Sequence, residues 1–168
     1  MKHWLPDHRV RHVDELTPVW LAERGIRGLV ADLDNTLVPW HEEEIPAQVS
    51  AWMESLGTAG VPLCIASNTL NFGRLSRVAD RLGVDHHPGN AGKPGTRGID
   101  DAIRRLGMGR SEVAMVGDQL FTDMVAGRRA GLATILVNPL SAREFVGTRW
   151  VSRNLERLLL RGEHARPR

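Results

Sequence analysis

Short apolar runs alternate along the chain with longer segments in which apolar residues recur every three or four positions. Runs of about four to six apolar residues bounded by turn formers are too short for helices and read as buried strands. They fall at 28–33, 62–66, 84–87, 113–117 and 133–137. Between them the helical period predicts helices over about 46–56, 71–82, 95–106 and 121–130. Thr17-Pro18 supplies an N-cap and a first-turn proline for an earlier helix that ends before Gly25. Gly83, Gly107 and Gly131 stand where helices close in a left-handed residue. Strand and helix in strict alternation predict an α/β fold, a Rossmann-like doubly wound parallel sheet of about five strands flanked by helices on both faces.

At 168 residues the chain has room for one domain with a substantial core and not for two of ordinary size. We expect a core over about 26–140, a helical lead-in over 1–25 and a basic helix over about 149–162. Composition changes this picture little. Apolar residues make up 42% and charged residues 25%, which argues against wholesale disorder. Net charge is only +2, so the protein as a whole is not a polycation built for nucleic acid. The charge is uneven, however: residues 149–168 carry six arginines against Glu156 and Glu163. The single cysteine, Cys64, lies in an apolar run, forms no intramolecular disulfide and reads as a buried filler in a reducing cytoplasm. No apolar run is long enough for a membrane span or a signal peptide. The five tryptophans, Trp4, Trp20, Trp40, Trp52 and Trp150, read as core or interface anchors.

Candidate chemistry gathers at the strand ends, where open parallel sheets carry their sites. Leu29-Val30-Ala31-Asp32-Leu33-Asp34-Asn35-Thr36-Leu37-Val38 sets two carboxylates two positions apart as a strand gives way to a turn. Alternation then points Asp32 and Asp34 to one side and Leu33 into the core. Such a pair repels unless a cation neutralises one member or a proton stays on the other, and together these give a nucleophile beside a general acid. The fourth run ends in Gly117-Asp118 and returns at Asp123, a second acidic pair on the same edge. Converging carboxylates call for a hard cation, and Mg²⁺ suits them. Ser67-Asn68 ends the second run and Lys93, in the turn Gly89–Pro94, follows the third. A hydroxyl, loop N–H groups and an ammonium in these places suit phosphate oxygens. The same turn fails as a nucleotide-binding P-loop, because His87 stands where glycine is needed and Pro94 where Ser or Thr is needed. His86 and His87 are adjacent, face opposite ways on a strand and do not make a metal pair.

With Asp32-Leu33-Asp34-Asn35-Thr36, Ser67-Asn68, Lys93-Pro94 and Gly117–Asp123 in this order, the chain resembles the haloacid dehalogenase (HAD) superfamily of Mg²⁺-dependent phosphohydrolases. Within it, Leu5-Pro6-Asp7, the 14–25 segment and the 143–161 tail resemble subfamily IIIA and its YqeG-like branch, to which mitochondrial phosphatidylglycerophosphate phosphatase is related. The resemblance implies a phosphomonoesterase with Asp32 as nucleophile, carrying the phosphoryl group as an aspartyl phosphate. Asp34 would serve as general acid and base. Ser67, Asn68 and Lys93 would bind phosphate. Asp32, the backbone carbonyl of Asp34, Asp118 and Asp123 would hold Mg²⁺, Asp123 directly or through a ligand. Asn35 stands where glycine is common in the superfamily.

Related enzymes often insert a cap domain after the first motif or after the second. Only 32 residues separate Asp34 from Ser67 and 25 separate Ser67 from Lys93, and predicted helices and strands already consume both. The site is therefore expected to be open and without a cap, admitting a phosphate on a larger body or at a membrane surface, for which the resemblance suggests phosphatidylglycerophosphate. In the 149–162 helix, Leu155, Leu158 and Leu159 form an apolar stripe beside Arg153, Arg157 and Arg161. It would pack on the domain or lie on an anionic membrane from the inner face. Two other readings stand beside the phosphatase: a receiver-like signalling domain that keeps its phosphate, which leaves Asp34 without a use, and an RNA- or ribosome-associated protein, which rests on the basic tail alone.

Overall fold

The computed structural model describes residues 5–141. The basic helix expected over 149–162, along with Trp4 and Trp150, lies outside them. One six-stranded sheet organises these residues, built from β1 (His8–Arg9), β2 (Gly28–Ala31), β3 (Leu63–Ile65), β4 (Asp85–His86), β5 (Val113–Gly117) and β6 (Ala133–Leu136). Every pairing is parallel and the order is β1-β6-β5-β2-β3-β4. The helices are α1 (Pro18–Ala22), α2 (Ala47–Ala59), α3 (Phe72–Leu82), α4 (Arg97–Leu106) and α5 (Val125–Arg129).

Period-two alternation sorts the strand residues between two helical layers. Leu29, Ala31, Leu63, Ile65, Ala114 and Val116 join a core with the apolar stripes of α1, α2 and α3. Their neighbours Val30, Cys64, Val113 and Met115 join a second core with α4 and α5. Cys64 is fully buried, and burial pushes its thiol up to about 12, so it is a filler as its run implies. Trp52 is also core, with its indole N–H donating to the Leu16 carbonyl at 2.9 Å. Thr17 caps α1 by accepting from the Trp20 N–H at 3.2 Å, and Gly83 and Gly107 close α3 and α4 with φ of 67° and 65°.

Six strands form where five are expected. The added β1 is two polar residues at the sheet edge, with no apolar run to betray it. A side chain holds it there: Asp7 accepts from the Thr134 N–H (2.9 Å) and hydroxyl (3.0 Å) of β6. Between Asp34 and Ser67 lie a loop, α2 and β3, and between Ser67 and Lys93 lie α3 and β4, so neither gap holds a cap. From β2 the chain winds outward through β3 to β4, then crosses back to β5 on the other side of β2. The winding thus reverses between β2 and β5, and the carboxyl ends of these two strands form the switch point where such sheets bind ligands.

Candidate active site

β2 hands over to its loop at Ala31, yet the Asp32 N–H still donates to the Val116 carbonyl at 2.9 Å, which keeps Asp32 beside the end of β5. Leu33 is fully buried, and its carbonyl accepts from the N–H of Leu37 at 3.0 Å. That anchored turn brings Asp34 back to the same side as Asp32. Asn35 takes the left-handed φ of 61° that Asn tolerates where glycine is the usual choice. Its Oδ1 accepts from the N–H (3.2 Å) and hydroxyl (2.6 Å) of Ser141, contacts a glycine would not make.

On the neighbouring strand, Asp118 follows Gly117, and a π-helical turn over Leu120–Met124 carries Asp123 back beneath the strand end. The approach is so close that a Cβ on Gly117 would lie 2.5 Å from the Asp123 Cβ. Glycine before Asp118 is therefore a steric requirement of the acidic pair. Carboxylate oxygens of Asp32, Asp118 and Asp123 converge within 4.8 Å of one another.

Lys93 partly neutralises this cluster. Its ammonium, almost wholly buried, donates to Asp32 Oδ1 at 2.8 Å and Asp123 Oδ1 at 2.7 Å. Burial opposes its charge, but the two carboxylates outweigh that and hold its pKa above the ordinary lysine value. The ammonium is thus pinned between the two carboxylates. Asp118 has no such partner among the described residues, and its Oδ1 is buried without a hydrogen bond to any of them. Burial, then the charges of Asp123 and Asp32, push its carboxyl up to about 9. Asp32 is raised to about 6, chiefly by burial, with Lys93 pulling the other way. Three carboxylates on one point, one of them an orphan, fit a hard divalent cation.

Asp34 faces a different neighbour. Arg74, in the first turn of α3, donates from Nη2 to both Asp34 carboxylate oxygens at 2.6 Å and from Nη1 to the Glu42 carbonyl at 2.7 Å. Sequence reasoning missed this arginine. Its place in the first turn of a helix, where a cation opposes the macrodipole, is a weak cue that points to no particular partner. The Asp34 carboxylate is thus turned toward Arg74 and stands apart from the three-carboxylate cluster.

Ser67 and Asn68 follow β3 into the same cleft, a space of about 970 Å³ also lined by Asp32, Asp34 and Lys93. Ser67 Oγ accepts from the Thr69 N–H at 3.1 Å. Asn68, expected among the phosphate-binding residues, uses its side chain on the backbone of Lys93. Its amide donates to the Lys93 carbonyl (2.8 Å) and accepts from the Lys93 N–H (2.9 Å), so both ends help hold the Lys93 backbone. His87 stands outside the site, its Nδ1 2.8 Å from Asp101 Oδ2.

Residues 90–139 match the HAD-hydrolase-like family. The chain is 34% identical over 159 residues to the probable phosphatase YqeG of Bacillus subtilis, across 95% of this chain and 91% of that protein. The chain belongs to the YqeG-like family of HAD phosphatases. Two plant and algal relatives extend the likeness. Over 74% of its length the chain is 29% identical to the chloroplastic/mitochondrial phosphatidylglycerophosphate phosphatase 1 of Arabidopsis thaliana. Over 79% it is 30% identical to the chloroplastic phosphatidylglycerophosphate phosphatase 1 of Chlamydomonas reinhardtii. It spans 38% and 51% of those two proteins. For a HAD phosphatase of this branch, the described residues form an uncapped site, and the acidic cluster suits the divalent metal that HAD enzymes generally use. No helix among the described residues is long and apolar enough to cross a membrane.

Proposed function

We propose that this YqeG-like protein is a Mg²⁺-dependent phosphomonoester hydrolase working through an aspartyl phosphate on Asp32, with phosphatidylglycerophosphate or another bulky phosphomonoester as its substrate. The observation that carries the reading is the convergence of Asp32, Asp118 and Asp123 within 4.8 Å, beside Lys93, in a cleft left open by the fold. Asp32, the backbone carbonyl of Asp34, Asp118 and Asp123 would hold the cation. When bound, Mg²⁺ offsets the negative charge of the carboxylates and of the phosphoryl oxygens.

The chain's own groups divide the remaining work. Lys93 spends two of its three N–H donors on Asp32 and Asp123, leaving the third for a phosphoryl oxygen. Ser67 accepts a backbone N–H and keeps its own proton to donate to another. An Asp32 oxygen attacks phosphorus as the bond to the ester oxygen breaks, and Asp34 gives that oxygen a proton. Water then attacks the aspartyl phosphate, Asp34 takes its proton, and Asp32 leaves as a free carboxylate. Among the described residues Asp34 Oδ2 accepts only from Arg74, whereas Oδ1 also takes the His41 N–H, so Oδ2 is the oxygen to exchange that proton.

The open cleft and the names of the two phosphatidylglycerophosphate phosphatases support a bulky lipid-borne phosphate as substrate. Phosphate release should be measured with Mg²⁺ from phosphatidylglycerophosphate, a sugar phosphate, a nucleotide and a phosphopeptide. The lipid is expected to be hydrolysed fastest, with activity lost in Asp32→Asn and reversibly in EDTA. Release from none of the four, or full activity of Asp32→Asn, overturns the reading.

A further inference from the structure

We propose that Leu70 and Phe72 form an apolar rim that seats the mouth of the cleft on an anionic lipid bilayer. The proposal rests on the site being a phosphatase of a lipid-borne phosphate. Four large apolar side chains are exposed among the described residues, and two of them line this cleft: Leu70 at 78% and Phe72 at 48% exposure. Leu5 and Val19 do not line it. Exposed apolar residues are ordinary when scattered, and they acquire meaning when they cluster at a site. Trp40, half-buried, adds apolar surface to the same lining.

The rim is held in shape by its own hydrogen bonds. Asn71, between the two apolar residues, accepts from the Arg74 N–H at 3.0 Å and donates its own N–H to Thr69 Oγ1 at 3.1 Å. Leu70 and Phe72 are therefore displayed on a formed turn and helix start, and the backbone needs no new order to insert them.

Charge selects the partner. Exposed Arg97 and Arg129 hold the carbonyls of Asn90 and Pro94, on either side of Lys93, and neither has an ion-pair partner among the described residues. The described chain ends at Ser141, bonded to Asn35 beside Asp34, and the sequence after it carries seven arginines against three glutamates. An anionic bilayer accepts the apolar rim and the cations together.

The test is cosedimentation of the full chain with phosphatidylglycerol/phosphatidylcholine vesicles and with phosphatidylcholine vesicles, alongside the double variant L70S/F72S. Wild type should bind the anionic vesicles about tenfold or more tightly than the neutral ones, and the variant should lose about tenfold or more of that binding with an unchanged melting curve. Equal binding of wild type and variant overturns the proposal. So does a dimer in sedimentation velocity that the variant disperses while vesicles bind neither. Hydrolysis of a soluble phosphomonoester, measured separately, keeps the two readings apart. Turnover without vesicle binding removes the rim's role and leaves the phosphatase, whereas rim-dependent vesicle binding without turnover of any phosphoester removes the phosphatase.

Discussion

Arg74 Nη2 lies 2.6 Å from both carboxylate oxygens of Asp34, and the two side chains are buried together with only 3% and 11% of their surface exposed. A buried carboxylate so held has one orientation available to it. Because the guanidinium also holds the Glu42 carbonyl, it ties Asp34 to the loop that follows it and to α3 at once. Arg74→Ala should therefore lower kcat by on the order of 10²-fold, the scale of a misplaced reacting group, with a smaller change in KM. It should also destabilise the fold by about 3–5 kcal/mol, since it strands a buried charge. Arg74→Lys restores the charge without the fork and should fall between. Steady-state kinetics and thermal melts on both variants check this, and an Arg74→Ala enzyme with wild-type kcat would refute the positioning role.

What the sequence displayed of this fold and what it hid follow from where the information sits. The strands 113–117 and 28–31 announce themselves because each is buried on both faces and therefore apolar throughout. β1 hides because a two-residue polar edge strand leaves no periodic signal, its pairing being fixed by Asp7 and Thr134 across 127 positions. Asp32, Asp118, Asp123 and Lys93 meet as strand-end placement implies, since the register of β2 with β5 sets Ala31 beside Val116. Arg74 and the true partner of Asn68 were not legible. Both act through contacts 40 and 25 residues away in sequence, and a lone arginine on an amphipathic helix or an asparagine in a turn looks the same with or without such a partner.

Asn68 presents its amide as a two-way clamp on the backbone of Lys93. Asn68→Asp keeps the shape but replaces the donor with an acceptor facing the Lys93 carbonyl. It thus loses one hydrogen bond, on the order of 0.5–1.5 kcal/mol, and gains a repulsion. Lys93 should then be held less well against the substrate, raising KM and the inhibition constant of inorganic phosphate by about 3–10-fold. Phosphate inhibition curves decide the matter, and an unchanged constant would show that the clamp has no bearing on anion binding.

Gly117 is fixed by the approach of Asp123, whose Cβ would meet a new methyl at 2.5 Å. Gly117→Ala should displace Asp123 or the end of β5, at a cost of about 1–3 kcal/mol in stability. The more informative consequence concerns the acidic cluster. With Asp123 displaced, the divalent concentration needed for half-maximal activity should rise by on the order of tenfold, as expected when a partner of a metal site is disturbed. Titrations of activity against Mg²⁺ for the two proteins test it, and superimposable curves would mean that the strand end absorbs the methyl without moving the carboxylate.

Asp118 gives the site a pH dependence of definite sign. In the metal-free fold its carboxyl is raised from 3.8 to about 9 by burial and by the charges of Asp123 and Asp32. The folded protein therefore keeps a proton that the unfolded chain releases between these values, and stability falls as pH rises through that window. Asp32, raised to about 6, adds to the fall in its lower part. A divalent cation held there would take the place of the proton, so its binding would release protons and its stabilising effect would grow with pH. In EDTA, the wild-type melting temperature should thus be lower at pH 8 than at pH 6, and Mg²⁺ should raise it more at pH 8. Asp118→Asn stays neutral throughout. Without metal at pH 8 it should melt a few degrees above wild type, since about 1 kcal/mol shifts a domain of this size by ~2–4 °C. It should also gain much less from Mg²⁺. Melting curves at both pH values, with EDTA and with Mg²⁺, carry the comparison. If Asp118→Asn answered Mg²⁺ as wild type does, Asp118 would be no part of the cation site.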